Sequence, residues 1–262
     1  MEEEDLLQKC LKQPRDIEIN ANGTTYLDHA GAPLPAKSLL NAIFEDVLNT
    51  PYANPHSTGG KVSITTEKVI EESRSLLLQH LGLSRDEYEI IFTSGATASI
   101  KLVGECFPWT EDGTFWYSEN AHTSILGLRP LARNWKVLDS NLFFSSVTHE
   151  KVSEHPSSSI ELTNAHSMDL VAIPGECNFS GAKLSFVSMV EWLKSMKNRG
   201  RNVLWLLDAA KLCASSHVDL SQISSEYRPH FICLSCYKIF GYPTGVGALL
   251  MRKDVMSIMR KK

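Results

Sequence analysis

The chain has 262 residues, 43% of them hydrophobic and 21% charged, with a formal net charge of -4. That is enough apolar material for a sizeable core in one large domain, and the charge balance offers no nucleic-acid surface. Its apolar stretches are strand-length, so no transmembrane helix is expected; the acidic start Met1-Glu2-Glu3-Glu4-Asp5 lacks the basic residues of a secretory signal, and a cytosolic protein is expected.

Taken in chain order, a helix is predicted over Ala36–Leu48 and a longer one over Lys61–Leu81. The second carries Val62, Val69, Leu76, Leu77 and Leu81 at mixed three, four and seven spacings, as an amphipathic helix does. A strand follows over Tyr88–Thr93, a helix over Ala96–Phe107, a strand over Thr114–Ser118 and a helix over Ser124–Asn134. The polar run His155-Pro156-Ser157-Ser158-Ser159 has the composition of a surface connection. Next come a strand over Asp169–Ile173, a helix over Ser185–Asn198, and strands over Asn202–Leu207, His230–Leu234 and Val246–Met251. Continuous apolar strands alternating with helices predict a three-layer α/β/α fold around a mostly parallel sheet. The sequence ends in Asp254–Lys262, which reads as the start of a helix with no capping glycine, as in a fragment of a longer chain.

Ligands of such sheets bind at the carboxyl ends of the strands, and the chemistry-bearing residues fall there. Phe92-Thr93-Ser94-Gly95-Ala96-Thr97-Ala98 joins a strand to a helix. It is either a plain tight turn with its cap or a phosphate site in which small residues and hydroxyls expose backbone N–H groups at a helix N-terminus. His122 follows the strand Thr114–Ser118; it is a satisfied polar group or a ring that stacks on a flat heteroaromatic and relays protons. Asn178 is an ordinary turn residue or an amide donor to a phenolate oxygen. Asp208 ends the apolar run Val203-Leu204-Trp205-Leu206-Leu207, where a carboxylate needs a cationic partner. A protonated pyridine nitrogen would serve, and so would nearby Lys211 in a structural pair. Lys238 lies thirty residues on, flanked by Ser235 and Tyr237, whose hydroxyls could reach a phosphate, and by Gly241, Gly245 and Gly247. An acid past one buried strand and a lysine past the next suit pyridoxal phosphate (PLP), held as a Schiff base by the lysine and paired at its ring nitrogen by the acid. No G-x-x-x-x-G-K-[ST] or G-x-G-x-x-G occurs, which argues against a nucleotide loop.

Six cysteines are scattered along the chain, and reduced thiols are expected. Cys233 and Cys236 form a lone C-x-x-C without a second pair or matching His spacing. Two small thiols filling the base of a cofactor site are the simpler reading than a redox or zinc pair.

These segments, in this order, resemble the fold-type I PLP enzymes of the cysteine desulfurase-like class. Tyr26-Leu27-Asp28-His29-Ala30-Gly31, Asn54-Pro55-His56-Ser57, Phe107-Pro108-Trp109, Glu176-Cys177-Asn178-Phe179-Ser180-Gly181 and Tyr237-Lys238-Ile239-Phe240-Gly241 resemble the N-terminal domain of the molybdenum cofactor sulfurase family. The resemblance runs from about Thr24 to the end, leaving residues 1–23 as an N-terminal extension and 24–262 as a PLP-binding domain whose smaller part is incomplete. It implies that Lys238 is the Schiff-base lysine, Asp208 the partner of the pyridine nitrogen, His122 the stacking ring, Asn178 the contact to the ring oxygen, and Ser94–Thr97 with Ser235 the phosphate site. It implies L-cysteine as substrate and the molybdenum cofactor as sulfur acceptor, with activation of xanthine dehydrogenase and aldehyde oxidase, and a homodimer. The family's dimer-spanning glycine-rich segment, substrate-carboxylate arginine, persulfide cysteine and molybdopterin-related domain come after the point where the resemblance stops. On that account the chain is expected to be impaired by itself. The alternatives are an inert PLP-binding fragment and another fold-type I lyase or aminotransferase. Lys211 stands where related desulfurases often have a glutamine beside the cofactor.

Overall fold

The computed structural model describes residues 26–57, 60–144 and 167–260. The expected N-terminal extension, the connection at His155–Ser159 and Cys10 lie outside the described residues. The elements are α1 (Lys37–Asn49), α2 (Lys61–His80), β1 (Tyr88–Thr93), α3 (Ala96–Cys106), β2 (Thr114–Ser118), α4 (Thr123–Leu126), β3 (Asn134–Leu138) and α5 (Asn141–Phe144). After the undescribed stretch come β4 (Met168–Pro174), α6 (Phe186–Asn198), β5 (Asn202–Asp208), α7 (Leu212–Ser215), β6 (Phe231–Ser235), α8 (Cys236–Phe240), β7 (Gly247–Arg252) and α9 (Lys253–Met256).

The strands form one seven-stranded sheet in the order β1-β7-β6-β5-β4-β2-β3. Strands β3, β2, β4, β5 and β6 pair in parallel. β7 runs against both β6 and β1, so β1 points the same way as the rest. The alternation of side chains across each strand explains why both faces are apolar. On β5, Trp205 and Leu207 join Met189, Leu193 and Met196 of α6 on one side. Leu204 and Leu206 join Ile100, Val103 and Phe107, from α3 and the residue after it, on the other. Each such side chain removed from water contributes on the order of 2 kcal/mol. The three-layer, mostly parallel α/β fold read from the sequence is the one found.

One expected element is corrected. The helix over Ser124–Asn134 is instead one turn, α4, then a 3-10 turn at Arg129–Leu131, then β3 starting at Asn134. Pro130 has no N–H with which to continue an α-helical ladder back to Leu126, and it sits inside the 3-10 turn instead. β3 is an edge strand with Trp135 and Val137 about half exposed, so its apolar residues do not mark it as buried. α1 is also unusual: it buries no residue, and Phe44, Val47 and Leu48 are all exposed.

Candidate active site

At the carboxyl ends of the parallel strands, five chain segments enclose a cavity of about 450 Å³. Ser94, Gly95, Ala96, Thr97, His122, Asn178, Asp208, Ser235, Tyr237 and Lys238 all line it. The structure therefore brings together every site residue expected from the sequence.

The first wall is the turn from β1 into α3. The Thr93 hydroxyl donates to the Gly95 carbonyl (3.0 Å) and lies 2.8 Å from the Ser99 hydroxyl, tying the turn to the helix it opens. Gly95 sits at φ 143° and ψ 174°, a backbone region reserved for glycine. Ala96, Thr97 and Ala98, at the start of α3, line the cavity. Gly247, at the start of β7, pairs with both Thr93 and Ser235. It binds the β1 turn to the lysine segment.

His122 stands just ahead of α4 and caps it. Its Nδ1 accepts the Ser124 N–H at 3.2 Å and lies 2.9 Å from the Ser124 hydroxyl. That leaves the ring proton on Nε2. Ser124 in turn meets the Thr97 hydroxyl at 2.7 Å, so the ring and the helix start are held as one unit. His122 is thus a satisfied polar group that also lines the cavity.

Asp208 closes β5 and is 8% exposed. Burial pushes its carboxyl up, while the Ala210 N–H (3.1 Å), His122 and Lys238 pull it down. The Lys211 ammonium, a rival partner for Asp208 on sequence grounds, pairs instead with Glu176 at 3.8 Å. Ser235 is buried at the head of α8, which carries Tyr237 and Lys238. Asn178 lies in the turn after β4, fixed by hydrogen bonds from Cys177 N to Ala182 O and from Gly181 N to Cys177 O, both 2.9 Å.

Sequence reasoning did not single out Glu176 or Ser124. Glu176 is 6% exposed and lines the cavity. An acid between Gly175 and Cys177 just past an apolar strand was the available signal. Neither Cys233 nor Cys236 lines the cavity, contrary to the reading of both as its floor. Cys233 is wholly buried in the core on the α3 face, and burial raises both thiols.

Comparison with known proteins agrees with this picture. The molybdenum cofactor sulfurase of Solanum lycopersicum is 39% identical over an alignment that covers 92% of this chain and 32% of that protein. The sulfurase of Arabidopsis thaliana is 36% identical over an alignment that covers 97% of this chain and 34% of that protein. The chain spans about a third of the length of the curated relatives it matches. Among solved structures, a mutant of C-DES with glycine covalently linked to its PLP cofactor shares the fold, with a TM-score of 0.70 at 14% identity, covering 95% of this chain and 62% of that one. The family model for aminotransferase class-V matches residues 25–262, and the chain belongs to that family.

Proposed function

We propose that this chain holds pyridoxal phosphate on Lys238 and is the cofactor-binding part of a molybdenum cofactor sulfurase that takes sulfur from L-cysteine. The observation that carries the reading is a single cavity joining a buried carboxylate, Asp208, to His122, Lys238 and the open turn Ser94–Thr97.

The residues fit the cofactor. Asp208 is a buried carboxylate raised by its surroundings, so a cation facing it, such as a protonated pyridine nitrogen, would hold it ionised. The N-terminus of α3 and the hydroxyls of Thr97, Ser235 and Tyr237 are a donor set for a dianionic phosphate. Gly95 keeps that approach open, because nothing lies within 4 Å of where its Cβ would be. His122 would stack on the ring with Nε2–H as its donor, and Asn178 would donate its amide to the ring oxygen. Lys238 would attach the cofactor and, once displaced by an amino acid, move a proton at the substrate α-carbon. The bound cofactor supplies an electron sink for the bonds at that carbon.

The activity of the longer protein is proposed from the sulfurase relatives: transfer of cysteine sulfur to the molybdenum cofactor, activating xanthine dehydrogenase and aldehyde oxidase. One observation favours a second reading for this chain alone. Among the described residues, no cysteine and no arginine lines the cavity. The chain would then hold the cofactor without turning over cysteine.

The test is borohydride reduction of the PLP-loaded chain followed by peptide mass spectrometry, then addition of L-cysteine. Reduced cofactor is expected on Lys238 and absent from Lys238→Ala. A loaded chain with no adduct, or an adduct retained by Lys238→Ala, overturns the assignment. Alanine released from L-cysteine, with persulfide on Cys233 or Cys236, would overturn the second reading.

A further inference from the structure

Three charged residues of the cavity wall have no role so far, Lys101, Lys211 and Glu176, and the last two are paired with each other. The Glu176 side chain is 5% exposed, so water does little to satisfy its carboxylate. Ser215, from α7, donates its hydroxyl to one oxygen. The Lys211 ammonium stands 3.8 Å from the other. Both ends of this pair are fixed by backbone. Residue 176 is held in an isolated antiparallel bridge with Lys183. Lys211 immediately precedes α7, three residues beyond Asp208. The carboxylate thus pins a cation in the wall of the cavity that holds Lys238.

The charged and titratable groups lining the same cavity are Lys101 from α3, His122 ahead of α4, Glu176 after β4, Asp208 at the end of β5, Lys211 ahead of α7, and Tyr237 and Lys238 from α8. Asp208 is assigned to the pyridine nitrogen in the reading above. That leaves Glu176 as the other carboxylate among the described lining residues, and it is paired with Lys211. An ammonium has three donors, and one carboxylate does not exhaust them.

We propose that Lys211 and Glu176 form a charge-setting pair for the group that Lys238 holds: Lys211 presents a cation to it, and Glu176 sets how much of that charge is felt. The pair is a positioning element, and the inference rests on the assignment of PLP to Lys238. A nearby cation disfavours the protonated, positively charged form of the chromophore made with Lys238. Removing the cation therefore raises the pH at which that chromophore gives up its proton. Removing the carboxylate uncovers the cation and lowers it.

The experiment is a pH titration of the visible absorbance of the PLP-loaded chain, unsubstituted and with Lys211→Gln, Lys211→Arg, Glu176→Gln and the double variant Lys211→Gln/Glu176→Gln. The midpoint is expected to rise by about one unit in Lys211→Gln and to fall in Glu176→Gln. It should stay near the unsubstituted value in Lys211→Arg and lie between the two single variants in the double variant. A midpoint unmoved in Lys211→Gln while the band persists overturns the inference, as do shifts of the same sign in the two single variants. Lys211→Gln and Lys211→Arg keep the test independent of whether Glu176→Gln folds. A band missing from the unsubstituted chain overturns the PLP assignment itself, a different failure.

Discussion

The backbones of Gly95 and Gly247 are in contact: a Cβ on Gly247 would lie 2.5 Å from the Gly95 Cα and 2.5 Å from the Leu234 carbonyl oxygen. Both obstacles are backbone, so neither can swing aside. Gly247→Ala is expected to cost about 1–3 kcal/mol in stability and to push the Ser94–Thr97 turn out of place, weakening PLP binding about tenfold or more. Gly95→Ala meets no atom but must hold a glycine-only conformation, at a cost of roughly 1–3 kcal/mol. Thermal unfolding and PLP titration of the two variants measure both effects.

Asp208→Asn separates stability from function. Burial raises the Asp208 carboxyl from its ordinary 3.8 in the folded chain. The folded state therefore keeps its proton to higher pH than the unfolded state does. That contribution is fully present below the ordinary value and is lost as pH rises through the raised one. The cofactor-free chain is expected to lose melting temperature across that window, and Asp208→Asn to flatten the profile. At neutral pH the variant should melt higher than the unsubstituted chain without PLP, and bind PLP more weakly.

His230 gives the opposite slope. Its Nδ1 accepts the Trp205 N–H at 3.0 Å. Burial, with Arg252 nearby, lowers the ring from its ordinary 6.5 to about 3. The unfolded chain takes up this proton first, so the contribution is present above 6.5 and is lost as pH falls from there toward 3. Stability should decline below about pH 6.5, by an amount on the order of 4 kcal/mol by pH 3 from this group. His230→Asn should remove much of the slope, as read from unfolding at a series of pH values.

At the amino ends of the strands, far from the cavity, Asp169 accepts from Thr114 N (2.8 Å), Trp116 Nε1 (3.1 Å) and Arg201 (2.6 and 2.8 Å). The Asp169 and Arg201 side chains are 1% and 4% exposed. Arg201→Met strands the carboxylate and is expected to cost about 3–5 kcal/mol. The visible band of PLP in the surviving folded fraction should keep its wavelength, since nothing in this cluster lines the cavity. Denaturant unfolding and absorbance check the two halves.

Much of the site was legible because each of its residues follows an apolar run at the end of a strand. Asp208 after Val203–Leu207 is the clearest case: the strand announces itself, and the acid stands out against it. What the pattern does not carry is partnership. Lys211 is as close in sequence to Asp208 as a structural partner would be, and only the chain's path past β4 delivers Glu176 to it. Strand direction was hidden as well, because Gly247–Arg252 is as buried and apolar as the parallel strands beside it. β3 escaped notice for the opposite reason, since an edge strand with Trp135 and Val137 half exposed lacks the continuous apolar run.

The antiparallel β7 also dictates the order in which the molecule can be completed. β1 has β7 as its strand partner, with Thr93 opposite Gly247. A chain emerging from the ribosome can form α3 and the β2–β4–β5–β6 sheet while β1 still lacks that partner. Closing so long a loop is the slow, entropically costly kind of step. The cradle at Ser94–Thr97 is therefore finished only once β7 is in place, and cofactor capture marks a chain in which β1 has already joined the sheet.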